Sequence, residues 1–195
     1  MAAAVKYRAI AVVVAVLALT GCGTDKAAEN TKVAAAVQAG DKYNDTDVMY
    51  LQMMVAHHEQ GLEMVEIAEK SAKKPELLAL AKAVDVTQAD EVTLMKGWLE
   101  GWSKPTTVDH APNAHADHGG LPATGPEEMR ALRDATGGEF ETTFINLFVA
   151  HQHNAVEMAN MERTGGANTE AKALAERVRQ SRTDQIRQLL TMLNG

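Results

Sequence analysis

Two imidazoles stand side by side at His57 and His58, followed by the Glu59 carboxylate, with the thioethers of Met53, Met54 and Met64 in the same twelve residues. The pattern returns 94 residues later, where His57 falls on His151, Glu63 on Glu157 and Met64 on Met158, and His153 lies close by. Thioether sulfur is a soft donor suited to Cu(I), and imidazole serves both copper states. Imidazole paired with thioether therefore points to copper ahead of zinc or iron. The candidate ligands are His57, His58, Met64, His151, His153 and Met158. His58 sits about 100° around a helix from His57, so the two would flank a helix interface instead of sharing a stripe. A second group, His110, His115, Asp117 and His118, lies in a Pro/Gly-rich stretch, where mobile imidazoles and carboxylates could close on Cu(II) or Zn(II) without a preformed cage. The plainer alternative is that the inner histidines are hydrogen-bonded core residues, that Met53, Met54 and Met95 are core, and that the loop group is solvated.

Other chemistries lack their residues. A carboxylate-bridged di-iron centre in a helix bundle uses Glu-x-x-His on two helices, and that spacing is missing. No Ser or Cys nucleophile pairs with a base, and no Gly-rich phosphate loop opens a helix. No catalytic residues are assigned, and the chain reads as a binder, not an enzyme; a metal-dependent oxidase would have no motif of its own here.

Helices must position these side chains. Tyr50, Met53, His57, Gly61, Met64 and Ala68 recur at three and four residues, which predicts a helix from Asp45 that fades at Ser71. Pro75 suits the first turn of the next, whose stripe runs Leu77, Ala81, Val84, Gln88, Val92, Met95, Leu99 and Trp102. A linker is expected over 103–125, then a short helix over 126–136 with Thr124 as its cap. A second hairpin is expected over 138–194, with Leu174, Val178, Gln185, Ile186, Leu189 and Leu193 facing inward. The 94-residue offset runs without a gap through both hairpins, at about a dozen identities in some fifty positions. Two copies of a hairpin, each with one apolar stripe, are predicted to pack as an all-α four-helix bundle with a pseudo-twofold axis.

The remaining chain bounds the setting. Of 195 residues, 46% are apolar, enough for a real core. Lys6 and Arg8 precede eleven apolar residues, 9–19, the length of a signal sequence and short of the ~20 a spanning helix needs. Leu19-Thr20-Gly21-Cys22 resembles the lipobox of bacterial lipoproteins, which implies removal of residues 1–21 and lipid on Cys22, the one cysteine. Residues 22–44 then read as a flexible tether, with a frayed helix at 33–38, and 45–195 as the domain. Removing Lys6 and Arg8 leaves 17 basic against 26 acidic residues, a formal charge of −9, with no basic cluster, so nucleic acid is not an expected partner. The expected partners are the membrane, through the lipid, and a metal ion; a homodimer is compatible with the sequence.

Met53-Met54-x-x-His57-His58-Glu59-x-x-x-Glu63-Met64, then Gln88-x-x-Glu91-x-x-x-Met95-x-x-Trp98-Leu99 and Gly137-Gly138-Glu139-Phe140, resembles the DUF305 family from about Asp45 to the C-terminus. The resemblance implies a ferritin-like four-helix bundle, secreted or envelope-bound, with copper or other metal binding in some members. Its His-His-Glu element maps onto His57, His58 and Glu59. The second copy departs from it, with His151-Gln152-His153 in that place and Leu147-Phe148 for Met-Met. The expectation is an extracytoplasmic, lipid-anchored protein of the bacterial envelope that binds copper, zinc or iron remaining open, for buffering or homeostasis. The alternative is a structural or interaction module of the envelope whose inner His and Met only pack.

Overall fold

The computed structural model describes residues 38–108 and 123–194. Five helices follow in order: α1 (Asp45–Ser71), α2 (Pro75–Gly101), α3 (Pro126–Asp134), α4 (Gly137–Gly165) and α5 (Thr169–Asn194). The four long ones form two hairpins, α1–α2 and α4–α5, joined mainly along α1 and α4. Asn44 Nδ2 donates to the Gly165 carbonyl at 2.8 Å, which sets the start of α1 against the end of α4, so the two run antiparallel. The expected lipid attachment at Cys22, the signal over 1–21, the tether through residue 37 and the loop group His110, His115, Asp117 and His118 lie outside the described residues.

Local chemistry explains the boundaries. Asn44 accepts from the Asp47 N–H at 3.1 Å while Asp47 accepts from the Asn44 N–H at 2.6 Å, a reciprocal cap that starts α1. Pro75 opens α2, where its missing N–H is harmless. Asn168 Oδ1 accepts from the N–H groups of Glu170 and Ala171 and starts α5. Thr124 does not cap α3: Gly125 takes that place, and the Thr124 hydroxyl turns to Met64 Sδ at 3.8 Å. The short helix stops at Asp134, and α4 already begins at Gly137, whose φ of +57° favours glycine.

The duplication is visible in the hydrogen bonds. Asp47 accepts from the N–H groups of Ala167 and Asn168, in the turn between α4 and α5, at 2.9–3.1 Å. Ninety-four residues on, Glu141 accepts from the N–H groups of Lys73 and Lys74, in the turn between α1 and α2, both at 2.8 Å. Each hairpin thus closes the other's turn with a carboxylate, satisfying donors that a helix start leaves unpaired.

The apolar core comes in two parts. One gathers Tyr50, Met54, Met95, Leu99, Trp102, Met158, Leu174 and Val178; the other gathers Met64, Leu77, Val84, Leu132, Phe140, Phe144, Phe148 and Leu189. Burial of these side chains holds the hairpins together, at roughly 1.5–3 kcal/mol for each large one. Leu193 departs from the expected stripe and is 37% exposed: α5 has passed the edge of the core. What lies between the two parts is polar.

Candidate functional site

The middle of α1 crosses the middle of α4, and there the two matched histidines meet. His57 and His151 stack face to face, ring centroids 3.7 Å apart and planes within 15°. The Phe148 ring lies nearly parallel to that of His151, with centroids 5.6 Å apart and planes within 14°. His57 Nε2–H donates to the His151 backbone carbonyl at 3.0 Å, so Nδ1 carries the free lone pair. His58, one residue on, turns toward α2 and donates from Nε2 to Glu91 Oε2 at 2.7 Å, which again leaves Nδ1 bare. Arg182 reaches across from α5: its Nη2 pairs with Glu91 and lies 3.1 Å from His58 Nε2. That nitrogen already donates to Glu91 and cannot also accept from the guanidinium, so the close approach is a contact between two donors that share one carboxylate.

The same layer repeats in neutral form. His58, Glu91 and Arg182 correspond, by the 94-residue offset, to Gln152, Gln185 and Gln88. Gln152 Nε2 donates to Gln185 Oε1 at 2.5 Å. Gln88 and His151 are buried, and neither side chain has a hydrogen-bond partner in the protein. Both approach the bare Cα of Gly61: a Cβ there would collide with the Gln88 carbonyl oxygen and lie 2.9 Å from His151 Nε2.

Electrostatics keep all three rings neutral. Burial pushes His57 well below its ordinary value, with His151 and His58 adding to the effect. Burial likewise takes His151 down to about 3, helped by His58 and Arg182. His58 is lowered by burial against the opposing hydrogen bond to Glu91. Burial would raise Glu91, but the His58 hydrogen bond and the Arg182 charge outweigh it and hold the carboxylate ionised. Neutral imidazole with a free nitrogen is the form that binds a metal, and an N–H fixed on a carbonyl or carboxylate orients such a ligand.

The other predicted ligands are elsewhere. Met64 lies in one half of the core and Met158 in the other. Each is seven residues past its histidine, and on antiparallel helices those steps carry them about 10 Å in opposite directions. His153, two residues beyond His151, points to the exposed side of α4. Glu59, the acid of the His-His-Glu element, is exposed and paired with Lys96 at 2.6 Å. Among the described residues, no group of three or more His, Cys, Asp or Glu side chains is placed to hold a metal ion. The donors gathered at the crossing of α1 and α4 are the imidazoles; the buried thioethers of Met64 and Met158 lie in the two separate parts of the core. Sequence reasoning missed Glu91, Arg182 and Gln152 as parts of the layer, although the offset that paired the histidines pairs these positions too.

A duplicated antiparallel hairpin closed around a buried histidine layer defines a class of all-α four-helix bundle. The chain belongs to the DUF305 family, a domain of unknown function, whose model matches residues 47–193. A DUF305 protein from Streptomyces coelicolor, inferred to be secreted, is similar at 27% identity and a TM-score of 0.70, over 76% of this chain and 91% of that one. CopM in its Cu(I)-bound form is similar at 26% identity and a TM-score of 0.65, over 77% of this chain and 97% of CopM; its Cu(II)-bound form gives 26% and 0.64 over 76% and 95%. A DUF305 fragment from Deinococcus radiodurans, at 21% identity and a TM-score of 0.68 over 81% of this chain and 99% of that one, shares the fold. No curated protein matches the chain. Among the described residues, no helix is long and apolar enough to cross a membrane.

Proposed function

We propose that this chain is an extracytoplasmic, lipid-anchored protein that binds copper for buffering or homeostasis, acting as a binder and not as an enzyme. The observation that carries the reading is the buried layer of three neutral imidazoles, His57, His58 and His151, two of them with Nε2–H fixed and Nδ1 bare. The likeness to copper-bound CopM supports it. His57, His58 and His151 are the residues that would hold the ion; Met64, Met158 and His153 are too dispersed to join one site with them. The lipobox-like Leu19-Thr20-Gly21-Cys22 supports the anchor, and C22A should move the protein from the membrane fraction to the soluble one.

Calorimetric titration with Cu(I) and Cu(II) tests the binding. Saturable uptake that disappears in the H57A/H151A double variant is expected; uptake no greater in the parent than in that variant would end the reading. A second reading, a structural module of the envelope, is favoured by the parallel stack, whose in-plane lone pairs do not converge on one point. It expects H57L/H151L to melt at or above the parent temperature with copper changing neither melt, because buried polar groups are often replaceable by apolar ones. Copper raising the melting temperature of the parent alone separates the two.

A further inference from the structure

Glu59 is the acid of the His-His-Glu element, yet it stands outside the buried layer, at the mouth of a separate cleft. The cleft encloses about 70 Å³ and is lined by Val55, Ala56 and Glu59 of α1, Lys96 of α2, and Thr106, Thr107 and Val108 beyond α2. Three hydrogen bonds fix its outer wall. Ser103 takes a left-handed φ of 55°, a helix-end conformation that usually falls to glycine. Its N–H donates to the Glu100 carbonyl at 2.9 Å, and the Lys104 N–H donates to that of Leu99 at 2.8 Å, which turns the chain back over α1. Gln52 Nε2 then donates to the Pro105 carbonyl at 2.8 Å, and buried Val108 joins the same part of the core as Val55.

We propose that this cleft binds a small zwitterion, a free α-amino acid with a short aliphatic side chain. The site is independent of the copper-binding reading above. Its floor, Val55, Ala56 and Val108, suits an aliphatic group. A cavity of about 150 Å³ holds benzene, so about 70 Å³ takes a group the size of isopropyl and no aromatic ring. At the mouth, Lys96 Nζ and Glu59 Oε1 pair at 2.6 Å, which leaves Glu59 Oε2 and two ammonium protons for a ligand. A lone anion or cation would be drawn to one of these charges and repelled by the other, a short step away. A zwitterion meets both, its ammonium on Glu59 and its carboxylate on Lys96. An exposed ion pair contributes little by itself, so shifting it to admit a ligand costs little. The Thr106 and Thr107 hydroxyls line the same cleft and can donate to the ligand carboxylate. Closing a hairpin does not require this pair: the 94-residue offset puts His153 and Leu190 at the equivalent positions of the second hairpin.

The test titrates the full chain with L-valine in the presence of a metal chelator, following the methyl signals of Val55, Ala56 and Val108 by NMR. Saturable shifts at all three residues are expected. Isobutylamine and isovalerate, which carry the same side group with one charge each, should bind at least tenfold more weakly. L-phenylalanine, whose ring exceeds the cleft, should do the same. E59Q and K96M should each weaken L-valine at least tenfold; the ligand comparison within the parent protein decides the matter should either variant not fold. No saturable shift at these methyls, isobutylamine, isovalerate or L-phenylalanine binding as tightly as L-valine, or full affinity in folded E59Q and K96M overturns the proposal. Because metal is absent throughout, none of these results touches the copper-binding reading.

Discussion

Gly61 and Glu162 show how single side chains are constrained by the layer and by the end of the bundle. Gly61 leaves the space in which the Gln88 carbonyl oxygen and His151 Nε2 approach α1. G61A removes that space. Overpacking of a closed core costs about 1–3 kcal/mol, and the denaturation midpoint in urea should fall accordingly with the slope unchanged. Glu162 is buried beside Asp47; burial, then Asp47, raises its carboxyl to about 9, and it stays protonated at neutral pH. Asp47 goes the other way: burial opposes ionisation, but hydrogen bonds from Glu162 and the backbone hold it below its ordinary value. The signs differ between the two ends of the pH scale. His151 at about 3 binds no proton where the unfolded chain, near 6.5, does, so stability should fall as pH drops from 6.5 towards 3. Glu162 keeps a proton that the unfolded chain gives up above about 4.5, so its contribution is full below that pH and is lost as pH rises towards 9. E162Q should therefore stabilise the protein at pH 8–9 relative to the parent, a difference that shrinks as pH falls towards 4.5. Urea denaturation across this range checks both slopes, and an E162Q profile parallel to the parent would show that Glu162 ionises normally in the fold.

Asp47 and Glu141 do the same work at opposite ends of the α1–α4 pair, each closing the other hairpin's turn. D47A and E141A should each lose about 1–2 kcal/mol, the ordinary consequence of removing a helix-start cap. The sites are separated by nearly the length of a 27-residue helix, about 40 Å. Their effects should therefore add within about 0.5 kcal/mol in a double-mutant cycle, and strong coupling would mean that the hairpins do not close their turns independently. The starts of α1, α2 and the short α3 were legible because caps, prolines and apolar period all act within a few residues. The repeat was legible because register survives substitution better than identity does. Which residues share a site was less so. Periodicity placed His57 and Met64 on one stripe, and that is correct for α1 alone; the antiparallel crossing carries the two methionines apart while it brings the two histidines together. Glu91, although part of the family motif, and Arg182 were not placed in the layer because a charged residue on an inner face breaks the apolar pattern from which such faces are recognised. Leu193 read as core because the stripe does not reveal where a neighbouring helix ends.

The pseudo-twofold arrangement makes each hairpin the template for its partner, and the two halves are not equally able to replace each other. A hairpin alone exposes the stripe that its partner covers, so neither 38–108 nor 123–194 should hold its native helicity as a monomer. Two copies of the first hairpin, however, retain most of the interface. His57 would stack on its equivalent, Asp47 would meet the turn containing Lys73 and Lys74 as Glu141 does, and Gln88 would replace Arg182. Glu91 would lose its guanidinium, but His58 remains 2.7 Å from it and can take up the proton that makes the pair neutral. Two copies of the second hairpin fare worse. Gln152 and Gln185 give Arg182 no carboxylate, and two guanidinium groups would be buried unpaired, each costing several kcal/mol. The first hairpin is therefore expected to form a helical homodimer by itself, the second to remain largely unfolded, and an equimolar mixture to recover a 1:1 complex. Circular dichroism and sedimentation of the separate and mixed fragments decide this. A second hairpin that dimerises as readily as the first would show that Arg182 does not depend on Glu91 for its burial, and the charge balance of the layer would have to be reassigned.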